Sequence, residues 1–137
     1  MSVGILLVTH GRLGQLLLNT VAETMGSLPL QTSVLEIRRV QSPDVLLRQG
    51  ARLIEKLNSG AGVLILTDAF GSTPSNIATQ LGATPQTQVI AGVNLPMLMR
   101  IYNYPNLDLA SMTQNALEGG QRGVAICAPP ETPGAKN

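Results

Sequence analysis

The chain has 137 residues, enough for one domain with a single apolar core, and 44% of them are hydrophobic. Nine basic residues nearly balance eight acidic ones, and one phenylalanine, two tyrosines and no tryptophan leave few rings to stack on bases, so no nucleic-acid role is expected. The single cysteine excludes an internal disulfide, the amino terminus lacks signal-peptide features, and no apolar stretch is long enough to span a bilayer, so we expect a cytoplasmic protein without direct membrane insertion.

Strand and helix patterns alternate along the chain. Apolar segments of strand length predict strands at residues 2–8, 32–38, 62–67 and 88–91. A helix is predicted after each strand, at residues 12–26, 43–58, 74–81 and 95–102. In the first helix, side chains recur at helical spacing as on an apolar face: Leu13, Leu16, Leu17, Thr20, Val21 and Thr24.

The chain beyond residue 102 predicts one more helix and one more strand. A turn at 103–106 leads to a helix at about 109–118, which Gly119-Gly120 is expected to end. Residues 123–127 predict a short fifth strand at an edge of the sheet. The proline-containing residues 129–137 are expected to be a disordered tail, so the predicted domain covers residues 1–128.

This alternation predicts an α/β fold, an open, doubly wound, mostly parallel sheet with helices on both faces. If the strand order is 2-1-3-4, the connections of strands 1 and 3 leave toward opposite faces, and a crevice opens between their carboxyl ends. His10 ends the first strand and Thr67-Asp68 ends the third. We therefore expect His10 and Asp68 to meet at this crevice.

His10 is the first candidate for chemistry because it is the only histidine of the chain. Taken alone, such a histidine is more often a hydrogen-bonded strand cap. With Asp68 beside it, the carboxylate can accept the Nδ1 proton, which fixes the tautomer and leaves the Nε2 lone pair free to attack. Phosphoryl transfer through a phosphohistidine is the simplest interpretation of this pair.

The turn after Asp68 is rich in glycine and hydroxyl groups and runs into a helix. Gly71, Ser72 and Thr73 offer backbone amides and hydroxyls that suit a phosphate at the helix N-terminus, although an ordinary N-cap followed by Pro74 explains the same residues. The turn has neither the Gly-x-Ser-x-Gly of a hydrolase nor the lysine of a Walker loop. One histidine and one isolated cysteine are too few ligands for a metal site.

Three strings of the chain resemble one protein family. They are Thr9-His10-Gly11, the turn from Asp68 to Asn76, and Val89-Ile90-Ala91-Gly92-Val93-Asn94-Leu95-Pro96-Met97-Leu98. Together they resemble the enzyme IIA component of the mannose-type sugar phosphotransferase system, over about residues 2–127. Thr-His-Gly alone is a weak signal, whereas the last string is specific.

The resemblance implies a phosphocarrier that needs no cofactor. His10 would accept a phosphoryl group from the phosphocarrier protein HPr and pass it to a cysteine or histidine of an enzyme IIB. Asp68 would orient the ring of His10, and Thr73 would stand where the family's phosphate-binding serine lies. Some members exchange the terminal strand across a homodimer, so a homodimer is expected. Residues 123–127 can be exchanged in this way or can stay as an edge strand of their own subunit.

Two positions depart from the family's aromatic-Gly-Gly-Ser-Pro pattern. Ser72 replaces the second glycine and Thr73 replaces the serine. Thr73 keeps the hydroxyl, but the side chain of Ser72 adds bulk where the backbone must approach a phosphate closely. We therefore expect the acceptor chemistry to survive while the transfer rate stays open. The segment Asn94–Met99 also allows two interpretations, core packing or an exposed docking surface for HPr.

Three other functions are compatible with the same residues. A regulatory binding protein would use the phosphorylation state of His10 to control a partner rather than sugar uptake. A phosphodonor subunit of a dihydroxyacetone kinase shares the fold and the histidine chemistry, although the Ala-Gly-Val-Asn-Leu-Pro-Met string argues for the mannose-type branch. A phosphatase with His10 as nucleophile would need an arginine near the phosphate, for which Arg12 is the nearest candidate in sequence.

Overall fold

The computed structural model describes residues 1–131 and contains one parallel sheet of four strands. The strands are β1 (Gly4–His10), β2 (Thr32–Ile37), β3 (Val63–Thr67) and β4 (Thr87–Ala91). They lie in the order β2-β1-β3-β4, and every neighbouring pair is parallel. The predicted strand order is confirmed.

Five helices cover the two faces of the sheet. They are α1 (Leu13–Met25), α2 (Pro43–Leu57), α3 (Thr73–Leu81), α4 (Leu95–Asn103) and α5 (Leu109–Arg122). None of the helices within residues 1–131 is long and apolar enough to cross a membrane. The prediction of a doubly wound α/β fold is confirmed.

The two central strands send alternate side chains into two separate cores. In β1, Ile5 and Leu7 pack with α1, α4 and α5, whereas Leu6 and Val8 pack with α2 and α3. All four of these side chains are completely buried. Both faces of the strand therefore need apolar residues, which is why the sequence of β1 is continuously apolar rather than alternating.

The face that α1 turns toward the core differs from the one its leucines suggest. Gly14, Leu18 and Val21 are buried, while Leu13 and Leu16 are exposed. The helix can approach the sheet closely because Gly14 has no side chain. A Cβ at Gly14 would lie 2.7 Å from Thr9 Oγ1.

Thr9 fixes the start of α1 against the end of β1. Its buried hydroxyl accepts a hydrogen bond of 2.8 Å from the backbone N–H of Gly14. This bond satisfies one of the free N–H groups in the first turn of the helix. The chain between Thr9 and Gly14, which includes His10, is thereby held in a tight connection at the carboxyl end of the strand.

The predicted end of α5 at Gly119-Gly120 is wrong, because the helix continues to Arg122. Both glycines are buried where α5 lies against α4, and an added Cβ would come within 2.7 Å of Arg100 at Gly119 and of Met97 at Gly120. The two glycines permit a close approach between the helices. They do not act as helix stops here.

The predicted fifth strand does not form in the described chain. Residues 124–131 adopt no regular structure and are exposed, with Val124 at 77% and Ile126 at 101% of full exposure. An apolar segment becomes a strand only when it pairs with a neighbour, and this one lies against none within residues 1–131. Of the tail expected at 129–137, residues 129–131 are irregular and exposed, and residues 132–137 lie outside the described residues.

Candidate functional site

The fold brings His10 and Asp68 together at the carboxyl edge of the sheet. His10 is the last residue of β1, and Asp68 follows β3, the strand paired with β1. The Asp68 carboxylate accepts hydrogen bonds at Oδ2 from the backbone N–H of His10 and from ring Nδ1, each at 2.8 Å. Its Oδ1 accepts from the backbone N–H of Ala69 at 2.8 Å.

These contacts determine the electrostatics of the pair. Burial alone would raise the pKa of Asp68, but the hydrogen bonds from His10 and Ala69 and the charge of the His10 ring together hold it below the ordinary value of 3.8. The side chain of Asp68 is 9% exposed and that of His10 is 55% exposed. Asp68 is therefore an ionised, shielded acceptor at neutral pH, and the ring that it holds faces solvent.

The geometry specifies which ring nitrogen can react. Because Asp68 Oδ2 is an acceptor, Nδ1 carries the proton, and Nε2 has a free lone pair in the neutral ring. Nε2 makes no hydrogen bond within residues 1–131. The His10 ring is thus oriented by Asp68, and its Nε2 lone pair is accessible from solvent.

The turn that holds Gly71, Ser72 and Thr73 leads directly into α3. Gly71 adopts a φ of +84°, a conformation that favours glycine, whereas Ser72 has a φ of −88°, which any residue tolerates. The serine at position 72 therefore introduces no backbone strain here. Its hydroxyl donates to the carbonyl of Ala69 and makes no capping bond to α3.

The first turn of α3 consequently keeps its N–H groups free of any side-chain cap. Pro74 supplies no N–H at this end, and the exposed Thr73 makes no side-chain hydrogen bond within the described chain. A helix N-terminus with uncapped amides and a free hydroxyl is suited to an anion. The arrangement is compatible with the phosphate site expected from the sequence.

A cleft of about 300 Å³ opens beside His10. Its walls come from His10, from the start of α3 and from the segment after β2, with Ile37, Arg38, Arg39, Gln41, Pro43, Leu46, Thr73 and Pro74 as its other residues. Neither arginine was expected at this site from the sequence. The parallel register that pairs His10 with Ile37 puts the residues after Ile37 at the same edge, which only the strand order reveals.

Arg12, the arginine nearest to His10 in the sequence, is not among the residues that line this cleft. It is exposed at the N-cap position of α1. A larger cleft of about 520 Å³ lies between β2 and α2, and His10 does not line it.

Three exposed apolar side chains flank the His10–Asp68 pair along the chain. Leu13 and Leu16 lie in the first turns of α1, at 41% and 52% exposure, and Phe70 is 89% exposed in the turn after Asp68. We call Leu13, Leu16 and Phe70 the apolar rim. The helical spacing of the leucines in α1 concealed it, because the same spacing is usual for a buried face.

The segment Asn94–Met99 lies partly in the core, since Leu95 and Met99 are half-buried and Pro96 is exposed. Met97 and Leu98 are buried, and Asn94 caps α4 by accepting a hydrogen bond of 2.9 Å from the N–H of Met97. The Asn94 amide also donates to the carbonyl of Gly120 at 3.1 Å. Of the two interpretations, core packing therefore holds for Met97 and Leu98.

Comparison with known proteins determines the family. A family model described as "PTS system fructose IIA component" (EIIA-man) matches residues 4–116. The chain belongs to this family. The resemblance seen in the sequence is thereby confirmed.

Individual relatives of this PTS IIA chain agree with that assignment. The mannose-specific EIIAB component of Escherichia coli K12 is 32% identical over 131 residues, which cover 90% of the chain and 39% of that protein. The chain thus spans well under half the length of this relative. The mannose/sorbose-specific IIA subunit from Enterococcus faecalis has a TM-score of 0.84 at 25% identity, over 96% of this chain and 99% of that one. The EIIA component from Streptococcus agalactiae shares the fold, with a TM-score of 0.77 at 19% identity over 90% and 96% of the two chains.

The described residues of this PTS IIA chain contain no group of three or more His, Cys, Asp or Glu side chains that could hold a metal ion. The cleft brings together the His10 ring, the start of α3 and two arginines, and Asp68 holds the ring from its Nδ1 side.

Proposed function

We propose that this PTS IIA chain is a phosphocarrier that acts in the cytoplasm, with His10 as the transient phosphoryl acceptor. The Nε2 lone pair attacks the phosphorus of phospho-HPr, and the bond between phosphorus and HPr breaks with its electron pair remaining on HPr. The phosphoryl group then rests on Nε2 until a nucleophile of an enzyme IIB attacks it. In that second step the electron pair of the Nε2–P bond returns to the His10 ring.

The observation that carries this proposal is the 2.8 Å contact between His10 Nδ1 and Asp68 Oδ2 on a ring that is 55% exposed. A ring held in this way needs little reorientation before attack. The carboxylate also stabilises the positive charge that develops on the imidazole as the N–P bond forms. A histidine that merely capped the strand would have no need of an open Nε2.

In this proposal Gly71, Ser72 and Thr73 hold the phosphoryl oxygens. The positive φ of Gly71 turns the chain so that α3 begins beside His10, and Thr73 lines the same cleft as the ring. The uncapped amides of the helix and the Thr73 hydroxyl would donate to the oxygens. Ser72, whose hydroxyl is already bonded to Ala69, contributes through its backbone position.

The apolar rim supports docking of a protein rather than of a small molecule. Phe70 is the only phenylalanine of the chain, and it is 89% exposed in the turn after Asp68. Large apolar side chains exposed at a reactive edge are typical of transient protein interfaces. HPr and enzyme IIB would use this surface in turn.

The test is intact-protein mass spectrometry at alkaline pH after incubation with phosphoenolpyruvate, enzyme I and HPr. We expect a gain of one phosphoryl group by the wild type and none by His10→Gln. Because the chain has one histidine, loss of the label in that variant assigns the site. Absence of label on the wild type, with HPr itself fully phosphorylated, would overturn the proposal.

We also propose that the chain forms a homodimer through residues 123–127. Val124 and Ile126 are exposed apolar side chains with the alternation of a strand, and β4 is an edge strand whose outer side is unpaired in the described chain. Light scattering should give a dimer for the wild type and a monomer for Val124→Asp/Ile126→Asp. Val40→Asp, a change at another exposed valine, should remain dimeric. A monomeric wild type would contradict this proposal.

A further inference from the structure

The two arginines after β2 lie beside the reactive histidine without being close to it in sequence. His10 pairs with Ile37 in the parallel register, and the N–H of Gly11 donates to the carbonyl of Ile37 at 3.0 Å. The chain turns immediately after Ile37, so that Arg38 and Arg39 line the cleft of His10. Two cations are thus held at the edge where phosphoryl transfer is proposed.

The arginines differ in what they already bind. Arg38 forms an ion pair with Glu36, and its backbone N–H donates to the Gln41 side chain at 2.8 Å. Arg39 is exposed and makes no hydrogen bond or ion pair within residues 1–131. Of the two arginines, Arg39 is therefore the one whose guanidinium can bind a ligand without first breaking an ion pair.

Phosphorylation of His10 would place negative charge in the cleft, which a cation such as Arg39 can balance. A phosphoryl group carries a charge of about −1.5 to −2 at neutral pH. The Asp68 carboxylate is itself negative and is hydrogen-bonded to Nδ1 of the same ring, so it cannot balance the charge of a phosphoryl group on Nε2. Thr73 and the start of α3 supply dipoles but no full positive charge.

We propose that the guanidinium of Arg39, a residue that lines the same cleft as His10 and Thr73, binds the phosphoryl group on His10. This inference rests on the proposed function and names a residue that holds the phosphorylated state. In the unphosphorylated protein Arg39 stays solvated, and its N–H groups donate to the phosphoryl oxygens once the N–P bond has formed. Arg39 thereby shifts the phosphoryl equilibrium with HPr toward this chain.

Two measurements on Arg39→Gln test the assignment. In a ³¹P NMR titration of the phosphohistidine, removal of the cation should raise the pKa of the phosphoryl group above its wild-type value, because the dianion loses its partner. The equilibrium constant for transfer from phospho-HPr should fall by about five- to tenfold, as expected for one partly solvated charge-assisted contact. Arg39→Lys should restore part of both effects.

The matched control is Arg48→Gln, which removes the same charge from the exposed surface of α2, away from the residues that line the cleft. It should leave both quantities at wild-type values. If Arg39→Gln and Arg48→Gln behave alike in both measurements, the assignment of Arg39 is overturned.

Phosphoramidate, a small phosphoryl donor, separates this inference from the proposed function. It labels the single histidine without HPr, so the NMR titration can be run even if HPr proves not to be the donor. If phospho-HPr does not phosphorylate the chain while phosphoramidate does, the proposed phosphocarrier function is wrong. If the phosphoryl pKa of Arg39→Gln labelled with phosphoramidate equals that of the wild type, Arg39 does not bind the phosphoryl group.

Discussion

At the scale of single residues, Asp68 directs the His10 ring with one oxygen. Oδ2 accepts both the backbone N–H of His10 and the Nδ1 proton, so it fixes the position and the tautomer of the ring together. An asparagine at this position presents an NH₂ group in place of one oxygen. It must then either lose a contact with Ala69 or donate to Nδ1, which moves the ring proton to Nε2.

We therefore expect Asp68→Asn to slow phosphoryl acceptance from phospho-HPr by about 10²-fold, because the Nε2 lone pair is lost in the wrong tautomer. Rapid-quench measurement of the phosphorylated fraction gives this rate. Asp108→Asn, which changes the N-cap of α5 and keeps a capping side chain, is the control and should transfer at the wild-type rate. Equal rates for Asp68→Asn and the wild type would show that Asp68 does not control the tautomer.

The sequence was sufficient to predict that His10 and Asp68 meet, because both follow apolar strands that are neighbours in a doubly wound sheet. Their catalytic roles stay predictions. Arg39 and the exposure of Leu16 could not be foreseen in the same way. The position of Arg39 depends on the register of β2 against β1, and the direction of Leu16 depends on how far α1 is rotated about its axis.

At the scale of elements, the contact between α4 and α5 depends on two adjacent glycines with different neighbours. A Cβ at Gly119 would meet Cβ of Arg100 at 2.7 Å, an atom fixed to the α4 backbone. A Cβ at Gly120 would meet Cε of Met97 at 2.7 Å, the end of a flexible side chain. The first clash can be relieved only by moving a helix. Rotation of the Met97 side chain relieves the second clash and leaves a tight contact of 3.3 Å with Met97 Cβ.

We accordingly expect Gly119→Ala to destabilise the fold by about 1–2 kcal/mol more than Gly120→Ala, although both gain about 1 kcal/mol of helix propensity. Urea unfolding of the two variants and the wild type, followed by circular dichroism, measures the difference. Since the substitutions are identical and adjacent in one helix, each serves as the control for the other. The reverse order of stabilities would contradict the packing that we describe.

The elements that the sequence predicted correctly are those with a strong local signal. Asn94 with Pro96 defines the start of α4, and Ser42 with Pro43 defines the start of α2. The two errors, the end of α5 and the strand at 123–127, occur where the outcome depends on a distant partner. Gly119 stays helical because α4 lies against it, and an apolar segment without a neighbouring strand stays irregular.

At the scale of the whole molecule, Tyr102 joins an outer helix to an edge of the sheet. It is 1% exposed among the residues of one core, and its hydroxyl bonds to that of Thr32 on β2 at 2.7 Å. The Thr32 hydroxyl also lies 3.1 Å from the carbonyl of Leu30, to which it donates. Because the Thr32 hydroxyl proton is directed to Leu30, the Tyr102 hydroxyl donates to Thr32 Oγ1. Tyr102 is therefore buried with its phenol protonated.

Burial raises the pKa of Tyr102 to about 12, against a smaller lowering by the Thr32 hydrogen bond, from an ordinary value of 10.0. A group whose folded pKa is raised stabilises the fold fully below its unfolded pKa and loses that contribution as pH rises through the folded one. The wild type should therefore lose about 2–3 kcal/mol of stability between pH 10 and 12 through this residue.

Tyr102→Phe, which has no phenol proton to lose, should show a correspondingly smaller loss of stability in urea unfolding over the same pH range. At pH 8 it should be less stable than the wild type, because the hydrogen bond to Thr32 is gone. Tyr104→Phe, at an exposed tyrosine two residues away, provides the control and should follow the wild-type curve. Parallel pH profiles for Tyr102→Phe and the wild type would mean that this phenol ionises without opening the core, and that α4 is not held to β2 through its neutral form.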